Sequence, residues 1–147
     1  MGALVTLACD GCDAQGKLTS QPRVYVLGDG GTVPVFGAPA WCPTCEAVVE
    51  AEVLPVPEAV ESAGVIGAEL ARWRSWRNAR KSPSRCFACG APGAQLPPDA
   101  AFLRHLSDQA AMSFEHPGCG GWFQVKSVGL AMGKKDPRRL SPEGLPL

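Results

Sequence analysis

Short runs of apolar residues, rather than long periodic stretches, cover most of the sequence. Four of them predict strands: LVTLA at 4–8, RVYVL at 23–27, EAVVEAEVL at 46–54 and WFQVKSV at 122–128. Between RVYVL and VPVF, the segment GDGGT predicts a hairpin turn, because glycine and aspartate tolerate the backbone conformations of tight turns. The pattern therefore predicts a chain built largely of short strands and turns.

Helical spacing appears twice. Prolines at 55, 57 and 83 bound a helix predicted over about 59–81, with an apolar stripe formed by Ile66, Leu70, Trp73 and Trp76 or Arg77. Gly64 and Gly67 weaken its early part. In the second case Asp99 is the expected N-cap, and one helical face carries Phe102, Leu103, Leu106 and Ala110.

Composition places the chain among folded proteins. Hydrophobic residues make up 46% and charged residues 19% of the 147 positions, and the formal net charge is zero. A neutral chain has no overall field that attracts nucleic acid or an anionic membrane. No run approaches the roughly 18 apolar residues of a membrane span, so we expect a cytoplasmic protein that does not bind membranes.

Seven cysteines in a reducing compartment need a reason other than disulfides. Six of them form the C-x-x-C pairs CDGC, CPTC and CFAC, and the seventh forms an H-x-x-C pair in HPGC. Four cysteines, or three cysteines and one histidine, close a structural zinc site. The sequence therefore predicts two Zn²⁺ ions held by eight ligands, with none left over: Cys9, Cys12, Cys42, Cys45, Cys86, Cys89, His116 and Cys119.

The four pairs can be assigned to two sites in a sequential or a cross-braced way. Sequential assignment joins the first two pairs in a four-cysteine site and the last two in a three-cysteine, one-histidine site. Cross-braced assignment, as in RING-like modules, joins the first pair to the third and the second to the fourth. Because cross-bracing usually keeps the middle pairs close, the 40 residues between Cys45 and Cys86 favour the sequential assignment.

The ligand pairs and predicted strands resemble those of tandem zinc-ribbon proteins with rubredoxin-like knuckles. The resemblance implies a small metal-bound α+β fold of two zinc-ribbon-like β units joined by an α-helix. We expect unit 1 at 1–57 with the four-cysteine site, a linker helix at 58–83, unit 2 at 84–132 with the three-cysteine, one-histidine site, and a flexible tail at 133–147.

The first half also resembles rubredoxin, in which two cysteine pairs about thirty residues apart hold iron. Here 29 residues separate Cys12 from Cys42, but Asp13 and Glu46 stand where a glycine usually follows each pair. This resemblance implies an iron electron carrier as an alternative function.

A basic segment, RWRSWRNARK, ends the predicted linker helix. Its residues are candidates for contact with nucleic acid or a partner: Arg72, Trp73, Arg74, Trp76, Arg77, Arg80 and Lys81. Two other interpretations are that the tryptophans pack in the core, and that the arginines bind the first unit. That unit carries two basic and six acidic residues in 1–57. We expect at least one of the two tryptophans to be buried.

No catalytic pattern stands out. Both predicted metal sites are closed, and His105, the remaining histidine, fits a surface position on the second helix. We therefore predict a non-enzymatic zinc protein that acts as a protein-interaction or assembly adaptor, with nucleic-acid binding as the alternative.

Overall fold

The fold is known from a computed structural model that describes residues 2–104, 112–131 and 136–147. Strands predominate, and α2 is the longer of two helices in these ranges. The elements are β1 (Gly2–Cys9), β2 (Gln15–Thr19), β3 (Arg23–Val26), β4 (Thr32–Pro34), β5 (Phe36–Cys42), β6 (Ala47–Val53), α1 (Pro57–Ser62), α2 (Gly67–Ala79), a 3₁₀ turn (Ala100–Phe102), β7 (Phe114–Glu115), β8 (Trp122–Ala131) and β9 (Arg138–Leu140). This confirms the predicted small α+β class, and the arrangement is consistent with two β units joined by a helical segment.

Three sheets organise the strands. The first has the order β2-β1-β8-β7, the second β4-β3-β9, and the third is the β5-β6 hairpin. In the first sheet β1 pairs antiparallel with β8 from Gly2 opposite Ala131 to Cys9 opposite Phe123. The first strand of the chain therefore lies beside one of the last, and this pairing brings the two ends of the sequence together.

The four apolar runs all form strands, and GDGGT forms the predicted turn. β3 and β4 pair antiparallel, and the Leu27 N–H donates to the Gly31 carbonyl across the turn at 2.8 Å. Gly30 there has a φ of 84°, a conformation that favours glycine. The hairpin prediction is confirmed.

The linker prediction of one helix over 59–81 is wrong in detail. The helix breaks between α1 and α2, where Gly64 and Gly67 have φ values of 101° and 62°. These left-handed conformations end one helix and start another in a new direction. Ile66, expected on the apolar stripe, lies at the break and is 67% exposed.

The second predicted helix is only partly described, since His105, Leu106 and Ala110 lie outside the described residues. Within them, a short 3₁₀ turn stands in place of the expected α-helix start. Asp99 occupies the N-cap position of this turn, but its φ is 62° and its side chain makes no capping bond.

The prediction of a flexible tail is wrong for residues 136–147. β9 pairs parallel with β3, and Leu140 is buried in the same cluster as Tyr25 and Trp73. The indole N–H of Trp76 donates to the Pro142 carbonyl at 2.8 Å. Prolines and the lack of periodicity suggested flexibility, but a three-residue strand needs only a neighbouring strand edge to form.

The largest apolar cluster surrounds α2. Trp73 is completely buried and Trp76 nearly so, which confirms that at least one of them is buried. Tyr25 stacks on Trp76 with ring centroids 4.2 Å apart. The buried members of this cluster are Tyr25, Val33, Val60, Val65, Trp73, Trp76 and Leu140.

A separate apolar cluster is formed by side chains of the four-stranded sheet, among them Leu7, Phe114 and Phe123.

Among the described residues the longest helix has 13 residues, and none has the length and hydropathy of a membrane span.

Candidate metal centres

Eight ligand atoms converge in two groups. The outer group consists of Cys9, Cys12, His116 and Cys119, and the inner group of Cys42, Cys45, Cys86 and Cys89. Within each group the ligand atoms all lie within 4.8 Å of one another. None of the seven cysteines forms a disulfide.

The outer group lies where β1 ends and β8 begins. The Sγ atoms of Cys9 and Cys119 are 3.6 Å apart, and Cys12 Sγ is 3.5 Å from His116 Nδ1. Zinc–sulfur bonds of about 2.3 Å at tetrahedral angles separate two sulfurs by about 3.8 Å. The spacing therefore fits a single tetrahedral ion, and Nδ1 is the imidazole atom that faces it.

Backbone donors support the outer thiolates. The Gly11 N–H donates to Cys9 Sγ and the Ala14 N–H to Cys12 Sγ, both at 3.4 Å. Burial by itself raises the pKa of the Cys9 thiol, but the Gly11 N–H, His116 and the neighbouring thiols outweigh it and lower this pKa to about 7. Cys9 is therefore close to its metal-binding thiolate form at neutral pH.

The two turns of the outer group touch each other through glycines. A Cβ added to Gly121 would lie 2.6 Å from the Gly11 nitrogen, a distance that real side chains essentially never show. A Cβ at Gly11 would lie 3.1 Å from Cys119 Sγ. These glycines allow two backbone segments from opposite ends of the chain to approach one ion.

The inner group joins the β5-β6 turn to a segment after α2. Cys42 Sγ lies 3.6 Å from Cys89 Sγ, and Cys45 Sγ lies 3.9 Å from Cys86 Sγ. Both distances fit tetrahedral coordination by four thiolates. A backbone bridge between Ala51 and Cys86 holds the Cys86–Cys89 pair against β6.

The inner thiols divide by environment. The Ala91 N–H and neighbouring thiols lower the pKa of Cys89 to about 7, whereas burial and three neighbouring thiols raise the pKa of Cys45. Four thiolates packed this closely repel one another, so the group needs a cation to hold all four in the charged form.

The grouping contradicts the sequential assignment, and it contradicts cross-bracing as well. The first pair joins the fourth, and the second joins the third, so the inner site is nested inside the outer one. The physical reason is the pairing of β1 with β8, which brings Cys9 beside Phe123. The residue boundaries of the two predicted units remain a prediction, but the assignment of one complete site to each unit is wrong. The rubredoxin resemblance, which required Cys9, Cys12, Cys42 and Cys45 in one site, fails for the same reason.

Trp41 lies between the two groups. It precedes the inner ligand Cys42, and its ring centroid lies 4.8 Å from that of the outer ligand His116. Phe123 contacts both rings, with its ring centroid 4.7 Å from that of His116 and 5.8 Å from that of Trp41. The contact fixes the orientation of the imidazole, as neighbours of metal-binding histidines commonly do.

The basic segment divides into buried and exposed residues. Trp73, Trp76 and Arg80 are buried, so the structure places them away from any ligand on this surface. Arg77 is half-buried, and three of the seven candidate contact residues are exposed: Arg72, Arg74 and Lys81.

A buried ion pair that the sequence did not suggest holds this segment to β6. The two terminal guanidinium nitrogens of Arg80, Nη1 and Nη2, donate to the fully buried carboxylate of Glu52, at 2.8 and 2.7 Å. The Tyr25 hydroxyl and the Arg85 backbone N–H also donate to it. For Arg80, the contact agrees with the interpretation that the arginines of the basic segment bind the first unit. The signal that could have found the pair is Glu52 itself, an acid within an apolar strand.

Comparison of the chain with protein-family models, with curated proteins and with solved structures found no match. The geometry of the two groups is therefore the basis for assigning a function.

Proposed function

We propose that the protein holds two structural zinc ions and acts as a protein-interaction or assembly adaptor. The observation that carries the metal assignment is the convergence of eight ligand atoms into two groups of tetrahedral dimensions. Four thiolates, or three thiolates and an imidazole, are the donor sets of closed structural zinc sites. All seven cysteines are used, which leaves no thiol for another purpose.

A closed site has no open coordination position for a substrate or an activated water, so the proposed role is non-enzymatic. Unbridged cysteines at zinc-binding spacing suit a reducing compartment, and we therefore propose the cytoplasm as its location. Support for binding to protein comes from exposed apolar side chains on the four-stranded sheet, among them Leu4, Trp122 and Val128.

Elemental analysis of protein from cells supplied with both zinc and iron tests the metal assignment. We expect two zinc ions per chain. One metal per chain, or a red iron chromophore from the all-thiolate inner group, would contradict it and would restore electron transfer as a function.

Nucleic-acid binding is the second candidate, supported by the three exposed cations Arg72, Arg74 and Lys81. Burial of both tryptophans leaves phosphate contact as the mode available to this segment. A gel-shift assay at near-physiological salt separates the candidates. Binding that weakens steeply with salt and is lost when these three residues are replaced by alanine favours nucleic acid, and no shift favours a protein partner.

A further inference from the structure

The backbone of Trp41 is held between two segments that each follow an inner ligand pair. Its N–H donates to the Gln95 carbonyl at 3.0 Å, and its carbonyl accepts from the Gln95 N–H at 2.7 Å. On its other side Trp41 lies opposite Val48 in the β5-β6 hairpin. Val48 follows Cys45 by three positions, and Gln95 follows Cys89 by six. Closure of the inner group therefore brings together the two segments that fix Trp41.

The side chains of the same hairpin reach the outer group. The Trp41 ring centroid lies 4.8 Å from that of the outer ligand His116. Trp41 and Val48 both pack against the apolar cluster that contains the outer ligand Cys9. Val48 also contacts β2, because a Cβ added to Gly16 would lie 2.5 Å from the Val48 Cβ. The residues that the inner group positions are therefore the ones that contact the outer group.

The imidazole of His116 depends on packing for its orientation. Metal-binding histidines usually donate their second ring N–H to a carboxylate or a carbonyl. Nδ1 faces the ion here, and among the residues that the structure describes Nε2 has no hydrogen-bond partner. Phe123 and Trp41 pack on the ring instead. Because Phe123 lies on β8 of the four-stranded sheet, Trp41 is the neighbour through which the inner group can act on this ligand.

We propose that Trp41 couples the two metal groups: closure of the inner group around its ion holds the Trp41 ring against His116 and so raises the affinity of the outer group. This inference rests on the proposed structural ions and adds that they do not bind independently. A site whose ligand is already oriented loses less conformational freedom on binding, and therefore binds more tightly. For one aromatic contact we expect about fivefold, the lower end of the usual range for coupled sites.

Cobalt binding to the full chain tests the coupling, because a site of three thiolates and an imidazole differs in spectrum from an all-thiolate site. The outer affinity of the wild-type chain is compared with that of a chain carrying both Cys45→Ser and Cys89→Ser, and we expect a loss of about fivefold. Coupling is reciprocal, so Cys12→Ser with Cys119→Ser should weaken the inner affinity by the same factor. The two variants are matched, since each removes one exposed and one half-buried cysteine.

Repeating the comparison in Trp41→Leu tests the route. There, loss of the two inner cysteines should change the outer affinity by less than about twofold, as expected for independent sites. Trp41→Phe keeps an aromatic ring and should restore most of the coupling. Trp122→Leu is the matched control, because Trp122 is 39% exposed and pairs with Glu115 of β7 rather than with either inner segment. It should keep the full factor.

Two results would overturn the proposal. Equal outer affinity with and without the inner cysteines would show that the groups bind independently. A loss of the same size in the wild-type and Trp41→Leu chains would show that emptying the inner group acts by a route other than Trp41. The stoichiometry separates both results from failure of the metal assignment, because a wild-type chain that binds fewer cobalt ions than its two groups can hold would contradict the assignment itself.

Discussion

The outer and inner groups have similar ligand geometry in different surroundings. The outer group joins Cys12 to His116 across 104 positions, and the inner group joins Cys45 to Cys86 across 41. This difference in loop length changes the closure entropy by only about 0.8 kcal/mol. Burial separates the groups by degree: the inner group has two almost completely buried ligands, Cys42 and Cys86, the outer group has one buried ligand, Cys9, and each group has one exposed cysteine. Both groups touch an apolar cluster, and the inner group is the more deeply buried of the two.

Removal of both metals is expected to have the largest effect. Structural zinc contributes on the order of 10 kcal/mol to the folding of small domains, so complete chelation should unfold the regions around both groups. With a chromophoric chelator we expect two phases of zinc release, the outer ion first because its ligands are more exposed. Simultaneous release, or a circular dichroism spectrum and melting temperature unchanged after complete removal, would contradict this account.

Substitution of one ligand at a time tests the nested arrangement. In cobalt-substituted Cys12→Ser the all-thiolate spectrum of the inner group should persist, and in Cys45→Ser the spectrum of three thiolates and an imidazole should persist. We expect the second variant to be less stable, because it damages the buried group. A Cys12→Ser protein that retained the imidazole-containing spectrum would instead support sequential assignment.

Loss of the ion pair between Arg80 and Glu52 should lower the stability of the protein around the inner group. Arg80→Met leaves the Glu52 carboxylate buried without its partner, which typically costs about 3–5 kcal/mol. Glu52 lies on β6, and its backbone N–H donates to the Arg85 carbonyl beside Cys86, so inner-group zinc should also be released faster. Urea denaturation measures the stability, and Arg74→Met, at an exposed position of α2, should change it by no more than about 0.5 kcal/mol. Equal losses in the two variants would argue against a structural ion pair.

The aromatic contact beside the outer group should give the smallest effect. Trp41→Leu removes the ring that packs on His116, an interaction worth about 1 kcal/mol beyond area burial. We expect faster release of the outer ion with little change at the inner one. Trp122→Leu changes an exposed tryptophan near the same group and serves as the comparison. If both variants release the outer ion at one rate, Trp41 has no specific role in holding the imidazole.

The metal ligands could be predicted because their pairing is local. A spacing of two intervening residues brings Cys9 and Cys12 together wherever they lie in the fold. The choice of which pairs meet depends on contacts between distant strands, and no pattern near Cys12 indicates that β1 will lie beside β8. Burial of Trp73 followed from helical spacing, whereas burial of Arg80 required Glu52, which lies 28 positions away.

The nested arrangement also has a consequence for the order of synthesis. As the chain leaves the ribosome, Cys9, Cys12, Cys42 and Cys45 are all present before Cys86, and together they make a chemically complete set of four thiolates. The site that the sequence suggests is therefore a competitor that the nascent chain must avoid or dismantle. We expect a fragment of residues 1–57 to bind one cobalt ion with an all-thiolate spectrum, and a fragment that binds none would remove this competitor. On the proposed zinc assignment, we expect zinc that binds this early set to slow folding, so that the ion proposed to stabilise the finished fold would also oppose its formation.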